Sequence, residues 1–167
     1  MKKLNVLLKF SVLFLFLAGI FSSCDKSEES GSTNTAASEA LLISKWKAQM
    51  KSTNVAYDST ATKIFYILDK TNAGPGAKVA TGNTVTVKYT GAFMDGTIFD
   101  SSNSFTFVHK GASSRMIPGW EESIQLLNEG AKGTFLIPSS LAYGTTGYGS
   151  IPPYSPLFFT IEVVVIK

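Results

Sequence analysis

The stretch Met116-Ile117-Pro118-Gly119-Trp120-Glu121-Glu122, continuing through Ser123, Ile124, Gln125, Leu126 and Leu127 to Gly130, constrains this chain more than any other. Trp120, Ile124 and Leu127 recur at helical spacing, Glu121 and Glu122 fall where a helix dipole favours anions, and Gly130 offers a stop. From about residue 62 onward, everything on either side of it reads as strand. A single short helix can bury its apolar stripe there only if one antiparallel sheet covers it. The expected fold class is therefore α+β, an antiparallel sheet wrapped around one short helix. Trp120, at the helix start and beside a loop, is either the centre of the core or the floor of a pocket.

The strand pattern supports that arrangement. Residues 84 to 90 alternate strictly, placing Val85, Val87 and Tyr89 on one buried face. Asp95-Gly96 is a hairpin signal leading into residues 97 to 100, and Phe105 and Phe107 share one face of a further short strand. Residues 63 to 68 are β-rich, residues 72 to 76 form a turn, and residues 133 to 137 form another strand. In the terminal strand, residues 157 to 166, Phe159, Ile161, Val163 and Val165 lie on one face. Residues 139 to 156 form a Gly- and Pro-containing loop of a length that is often functional.

The N-terminal region has a different character. The formal charge is +3, but Lys2, Lys3 and Lys9 account for it: without those three the basic count falls from 15 to 12, against 12 acidic residues. No basic patch argues for a nucleic-acid partner. Lys2 and Lys3 precede a short apolar run over residues 10 to 21, and small residues then lead to Cys24, so residues 1 to 23 read as a signal peptide. A spanning helix needs about 20 apolar residues, and Lys9 interrupts this stretch. Cys24 is the only cysteine, which excludes a disulfide within the chain. Its setting after Phe21, Ser22 and Ser23 resembles the lipobox of bacterial lipoproteins, which implies cleavage before Cys24 and a membrane anchor through lipid on that residue.

Residues 24 to 37 are polar and small, and read as a lipidated flexible linker. Glu28 and Glu29 within it fit a solvated linker or a surface-export signal. Residues 38 to 61 form an N-terminal helical extension, with Ser38 as cap and a helix from Glu39 to about Lys51. Leu42, Ile43, Trp46 and Met50 make one apolar stripe that docks on the following domain or, alternatively, joins two copies through residues 39 to 51.

Few residues offer conventional catalysis. His109 is the single histidine and reads as a surface residue at a strand end; there is no Gly-x-Ser-x-Gly elbow. The glycine-rich residues 144 to 149 lack the lysine of a phosphate cradle and read as a flap. One Cys and one His argue against a zinc site, so no metal is expected. Asp95 belongs to its turn, but Asp100, between apolar strands, has no such structural reason.

What remains is aromatic and patterned. Val87-Lys88-Tyr89-Thr90-Gly91, Asp95-Gly96, Phe99-Asp100-Ser101-Ser102, Ile117-Pro118-Gly119-Trp120-Glu121-Glu122, Leu141-Ala142-Tyr143-Gly144, Ile151-Pro152-Pro153 and Leu157-Phe158-Phe159 follow one another over residues 62 to 167. In that order and near-spacing they resemble the FKBP-type peptidyl-prolyl cis-trans isomerases. The resemblance implies an apolar pocket for a prolyl ring, proline-containing polypeptides as substrates, a macrolide as inhibitor, and no cofactor. By motif, Trp120 looks like the pocket floor, and Tyr89, Phe99, Phe105, Met116, Ile117 and Phe159 look like its walls. Tyr143, following Ala142, resembles the residue whose hydroxyl binds a carbonyl, and the Ile117 N–H has a similar role. Asp100 resembles the pocket-edge acid, Tyr148 stands on the flap, and Ile151 closes the rim.

Tyr89, Phe107 and Phe159 would also be core residues of any sheet that packs on itself. The chain departs from the family pattern between Ser102 and Phe105, which is short, and in having no arginine there to pair with Asp100. Arg115, the only arginine, is not expected to replace that partner fully. The resulting expectation is a lipid-anchored envelope isomerase, at the outer membrane and facing periplasm or cell surface, that assists folding of exported proteins. The alternative is a non-catalytic chaperone or peptide-binding module using the same pocket.

Overall fold

A computed structural model describes residues 34–112 and 114–167. The proposed signal peptide, Cys24 and the linker up to residue 33 lie outside the described residues.

The first helix, α1 (Ala36–Ser52), begins earlier than the sequence suggests. Thr35 is the cap: its hydroxyl accepts the Ser38 N–H at 3.2 Å while Ser38 Oγ accepts the Thr35 N–H at 2.9 Å, a reciprocal capping box. Trp46 and Met50 are buried, Trp46 against Tyr57, Phe65 and Phe158 at ring-centroid distances of 4.9, 5.9 and 6.1 Å. Leu41 and Leu42 stay exposed. The lower half of the stripe therefore docks on the sheet.

Six antiparallel strands follow: β1 (Asp58–Ser59), β2 (Phe65–Ala73), β3 (Thr84–Ala92), β4 (Ile98–Val108), β5 (Ala131–Ile137) and β6 (Leu157–Ile166), in the order β1-β2-β5-β6-β3-β4. β1 lies within the extension and pairs with β2, Asp58 opposite Tyr66. β2 runs through residues 72 and 73, so the turn is tighter than expected and starts at Gly74. At the Asp95-Gly96 hairpin, Asp95 Oδ1 accepts the Thr97 N–H at 2.8 Å and Gly96 takes a φ of 89°, which glycine adopts at no steric cost.

The second helix, α2 (Pro118–Ile124), is shorter than the periodicity implies. Beyond it Leu126 and Leu127 donate to Ser123 and Ile124 in tighter turns, and Gly130, at φ 81°, leads into β5 rather than capping the helix. Trp120, Ile124 and Leu127 nevertheless share the core with Val85, Val87, Phe135, Ile137, Leu157, Phe159 and Ile161.

The helix lies very close to β5. A Cβ on Gly119 would come closer than 3.0 Å to Ile137 Cγ2, so only glycine lets the helix approach this far.

The expected strands at 97–100 and around Phe105–Phe107 are one strand, β4, with two irregularities opposite β3. Val87 pairs with Phe105 but Tyr89 pairs with Ser102, so β4 carries an extra residue there; another lies between the pairs Gly91–Asp100 and Ala92–Ile98. Each bulge flips the alternation of faces. Through the one between Ser102 and Phe105, Asp100 comes to the same face of the sheet as Phe105 and Phe107, from which strict alternation would separate it.

Candidate active site

That face meets α2. Trp120 is 4% exposed and ringed edge-on by Tyr89, Phe159, Phe107 and Phe105, at 5.1, 5.4, 5.9 and 6.3 Å. Edge-to-face contacts of this kind suit the aromatic quadrupole and hold the indole without free play. Phe107, which the sequence pattern assigned to packing, is as much part of this ring as Phe105, on which it stacks at 5.6 Å. Their shared strand face was the signal that could have identified it. Trp120 Nε1 has no hydrogen-bond partner among the described residues.

Phe99 joins through Phe159, edge-on at 5.7 Å, with Phe93 behind it at 5.1 Å. Gly91 makes this possible, because a Cβ there would meet the Phe99 ring at 2.7 Å and Phe159 at 3.0 Å. Met116 and Ile117 pack on the same core from the loop before α2. Ile117 is the residue preceding the helix; its carbonyl accepts from Trp120 and Glu121, and its own N–H has no protein acceptor among the described residues. A cavity of about 500 Å³ between the end of β4 and the loop before α2 shares Phe107 and Met116 with the site but is not lined by Trp120.

Polar groups stand at the edge. Asp100 is exposed, and its Oδ2 accepts the Tyr89 hydroxyl at 2.6 Å. Tyr89 is thus the hydrogen-bond partner of Asp100, and Arg115 makes no ion pair with Asp100. Burial, then the hydrogen bond and charge of Asp100, push the Tyr89 phenol far above its ordinary range. Tyr143 is also raised, by burial first and then by Asp100 and Tyr148, so its hydroxyl remains a donor at neutral pH.

Tyr143 is stacked on Tyr148 at 5.4 Å and 14°. Tyr148 is 72% exposed and reaches the site only through that stack. Ala142 ends a short 3₁₀ turn (Ser139–Leu141) and packs on the core. Ile151 is buried at 7% exposure and joined to Tyr148 by two backbone bonds of 2.9 Å.

His109 also differs, being fully buried rather than on the surface. Its Nδ1 lies 2.6 Å from Glu121 Oε2, an ion pair when the ring is protonated, though poorly aligned as a hydrogen bond. Glu121 also accepts from the Lys110 N–H at 3.1 Å and from the Ser114 hydroxyl. The loop leading to Met116 is therefore held from beneath by one carboxylate. No His, Cys, Asp or Glu cluster among the described residues could hold a metal ion.

Residues 76–164 match the family model described as FKBP-type peptidyl-prolyl cis-trans isomerase. The chain belongs to this family. It is similar to the macrophage infectivity potentiator of Trypanosoma cruzi, 33% identical over 162 residues that cover 93% of this chain and 83% of that protein. It is also 40% identical over 97 residues to the outer membrane protein MIP of Legionella longbeachae, covering 58% of this chain and 42% of that longer one. Among solved structures, a peptidyl-prolyl cis-trans isomerase from Pseudomonas syringae pv. tomato superposes with a TM-score of 0.69 at 29% identity, over 84% of this chain and 99% of that one. The fold is FKBP-like and the enzyme class is peptidyl-prolyl cis-trans isomerase.

Proposed function

We propose that this isomerase is anchored in the cell envelope by lipid on Cys24, at the outer membrane, and assists folding of exported proteins at the periplasmic or cell-surface side. In this reading residues 1–23 are a cleaved signal, 24–37 the tether, 38–61 an extension and 62–167 the catalytic domain. The signal-like start, the lone Cys24 and the name of the Legionella relative support the envelope assignment. Proline-containing polypeptides are the substrates, and a macrolide of the tacrolimus type would compete for the same pocket. Self-association through residues 39–51 would have to use Leu41 and Leu42, because Trp46 and Met50 are already covered.

The observation that carries the catalytic reading is the Trp120 ring cage with Asp100 and Tyr143 at its edge. Rotation about an X-Pro bond breaks amide resonance, a barrier of about 18–20 kcal/mol. The twisted amide has less charge separation than the planar one and loses less on leaving water. A dry aromatic surface therefore favours the twisted state differentially. The Tyr143 hydroxyl and the Ile117 N–H orient flanking carbonyls, and Asp100, fixed by Tyr89, faces the developing dipole. A rate gain of about 10⁶ requires about 8 kcal/mol from these interactions together. A purely holding role is not favoured, since it would need neither the fixed acid nor the free hydroxyl.

A protease-coupled assay on a prolyl tetrapeptide tests this directly. The wild-type chain should accelerate isomerisation, and Asp100→Ala and Phe99→Ala should each weaken it. A folded wild-type chain that gives no acceleration refutes the catalytic reading.

A further inference from the structure

We infer that Glu39, on the N-terminal helix α1, is a positioning residue for the active site: it fixes Ser139 and through Ser139 sets the place of the Tyr143 hydroxyl. This rests on the isomerase reading above but concerns a helix outside the family match, which starts at residue 76.

Glu39 lies on the docking stripe of α1, at i, i+4, i+7 and i+11 with Ile43, Trp46 and Met50, where an apolar residue would be expected. Instead its carboxylate makes two short bonds to one residue 100 positions away. Oε1 accepts the Ser139 N–H at 2.6 Å and Oε2 accepts the Ser139 hydroxyl at 2.6 Å. The need is local. Ser139 opens the 3₁₀ turn, and the residue before it, Pro138, supplies no side-chain cap. Ser139 is 4% exposed, so water cannot readily replace the acceptor, and a charged acceptor to a buried donor is among the stronger hydrogen bonds.

The third polar group of Ser139 points at the site. Its carbonyl accepts the Ala142 N–H at 2.9 Å and the Gly144 N–H at 2.8 Å, the two residues flanking Tyr143. Every polar group of Ser139 is thus committed, two to α1 and one to the Tyr143 segment. Trp46 and Met50 already supply the buried apolar area that keeps α1 docked. The double bond from Glu39 therefore serves the loop rather than the helix.

The test uses the full chain and the prolyl tetrapeptide assay, with Glu39→Ala, Glu39→Gln, Tyr143→Phe and the double variant Glu39→Ala/Tyr143→Phe. Glu39→Ala, which removes both bonds to Ser139, is expected to lower kcat/KM about tenfold. Glu39→Gln, which still offers Ser139 an acceptor and a donor, should recover most of the activity. In the Tyr143→Phe background the loss should vanish, which a general weakening of the fold would not produce. Wild-type activity in Glu39→Ala, or an undiminished loss in the Tyr143→Phe background, overturns the inference. Ser139→Ala removes only the hydroxyl arm and covers the case in which Glu39→Ala does not fold; a smaller loss is expected, and none overturns the proposal. If the wild-type chain is inactive, the isomerase reading fails separately, and amide exchange at Ala142 and Gly144 decides the positioning claim: faster exchange in Glu39→Ala supports it, unchanged exchange refutes it.

Discussion

Replacing Gly119 by alanine tests how tightly α2 is pressed onto the sheet. The new methyl would lie closer than 3.0 Å to Ile137 Cγ2, 3.2 Å from Ile137 Cδ1 and 3.1 Å from the Leu141 carbonyl oxygen. Carbon atoms rest at about 3.5–4.0 Å, so the helix must retreat or Ile137 must turn away. Ile137 is fully buried, in an interior that is generally close-packed. Overpacking of this kind costs about 1–3 kcal/mol. Alanine returns up to about 1 kcal/mol of helix propensity, and less near a helix start, so overpacking wins. The expected net loss is about 1–2 kcal/mol, a fall in Tm of roughly 3–6 °C for a unit of this size. Trp120 is the next residue and moves with the helix, and a floor displaced by about 1 Å can cost about 10²-fold in rate. Urea unfolding followed by tryptophan fluorescence and the prolyl peptide assay measure both effects. Ile137→Ala, which deletes the offending methyl, should be less damaging in the Gly119→Ala background than in wild type, a coupling that a double-mutant cycle isolates. An unchanged unfolding midpoint in Gly119→Ala, with additive effects in the double variant, would refute the close-packing argument.

Three further perturbations follow from the site and its supports. The Tyr89 phenol is raised in the folded state, so its contribution to stability is complete below the ordinary tyrosine pKa of about 10 and is lost as pH rises through the folded value. Wild-type stability should therefore fall above about pH 10 more steeply than that of Tyr89→Phe, and equal slopes in alkaline denaturation would contradict the Tyr89–Asp100 bond. Glu121→Gln should destabilise by about 1–3 kcal/mol, since a buried acceptor serving Lys110 and Ser114 and lying beside His109 is weakened; an unchanged urea midpoint would show that the loop does not depend on it. Trp46→Ala should cost about 3–5 kcal/mol and release α1, visible as faster amide exchange over residues 36–52, whereas protected amides there would mean that the helix docks by other contacts.

Much of the local structure could be read in the sequence. Alternation at Val85, Val87 and Tyr89 marks β3, Asp95 and Gly96 mark a hairpin, and Trp120 and Ile124 mark a helix facing the core. These are short-range signals, because side-chain direction repeats every two or 3.6 residues and turns demand particular dihedral angles. The order of the aromatic motifs likewise carried the family.

The tertiary structure decided what period and motif do not encode. The bulge between Ser102 and Phe105 in β4 brings Asp100 to the same face as Phe105 and Phe107, and a bulge is a property of pairing with β3, not of β4 alone. His109 is buried because Glu121, on another element, offers it a carboxylate, whereas a lone histidine at a strand end reads as solvated. Tyr89 is the partner of Asp100, a pairing visible only when the two strands are laid side by side. Glu39 breaks the apolar stripe of α1 for the sake of Ser139, 100 residues away. The sequence by itself determined most of the helix and strand segments and the apolar faces of β3, β6 and the helix of Trp120. Only folding decided which polar groups meet, because a hydrogen bond between distant residues depends on the packing of the elements that carry them.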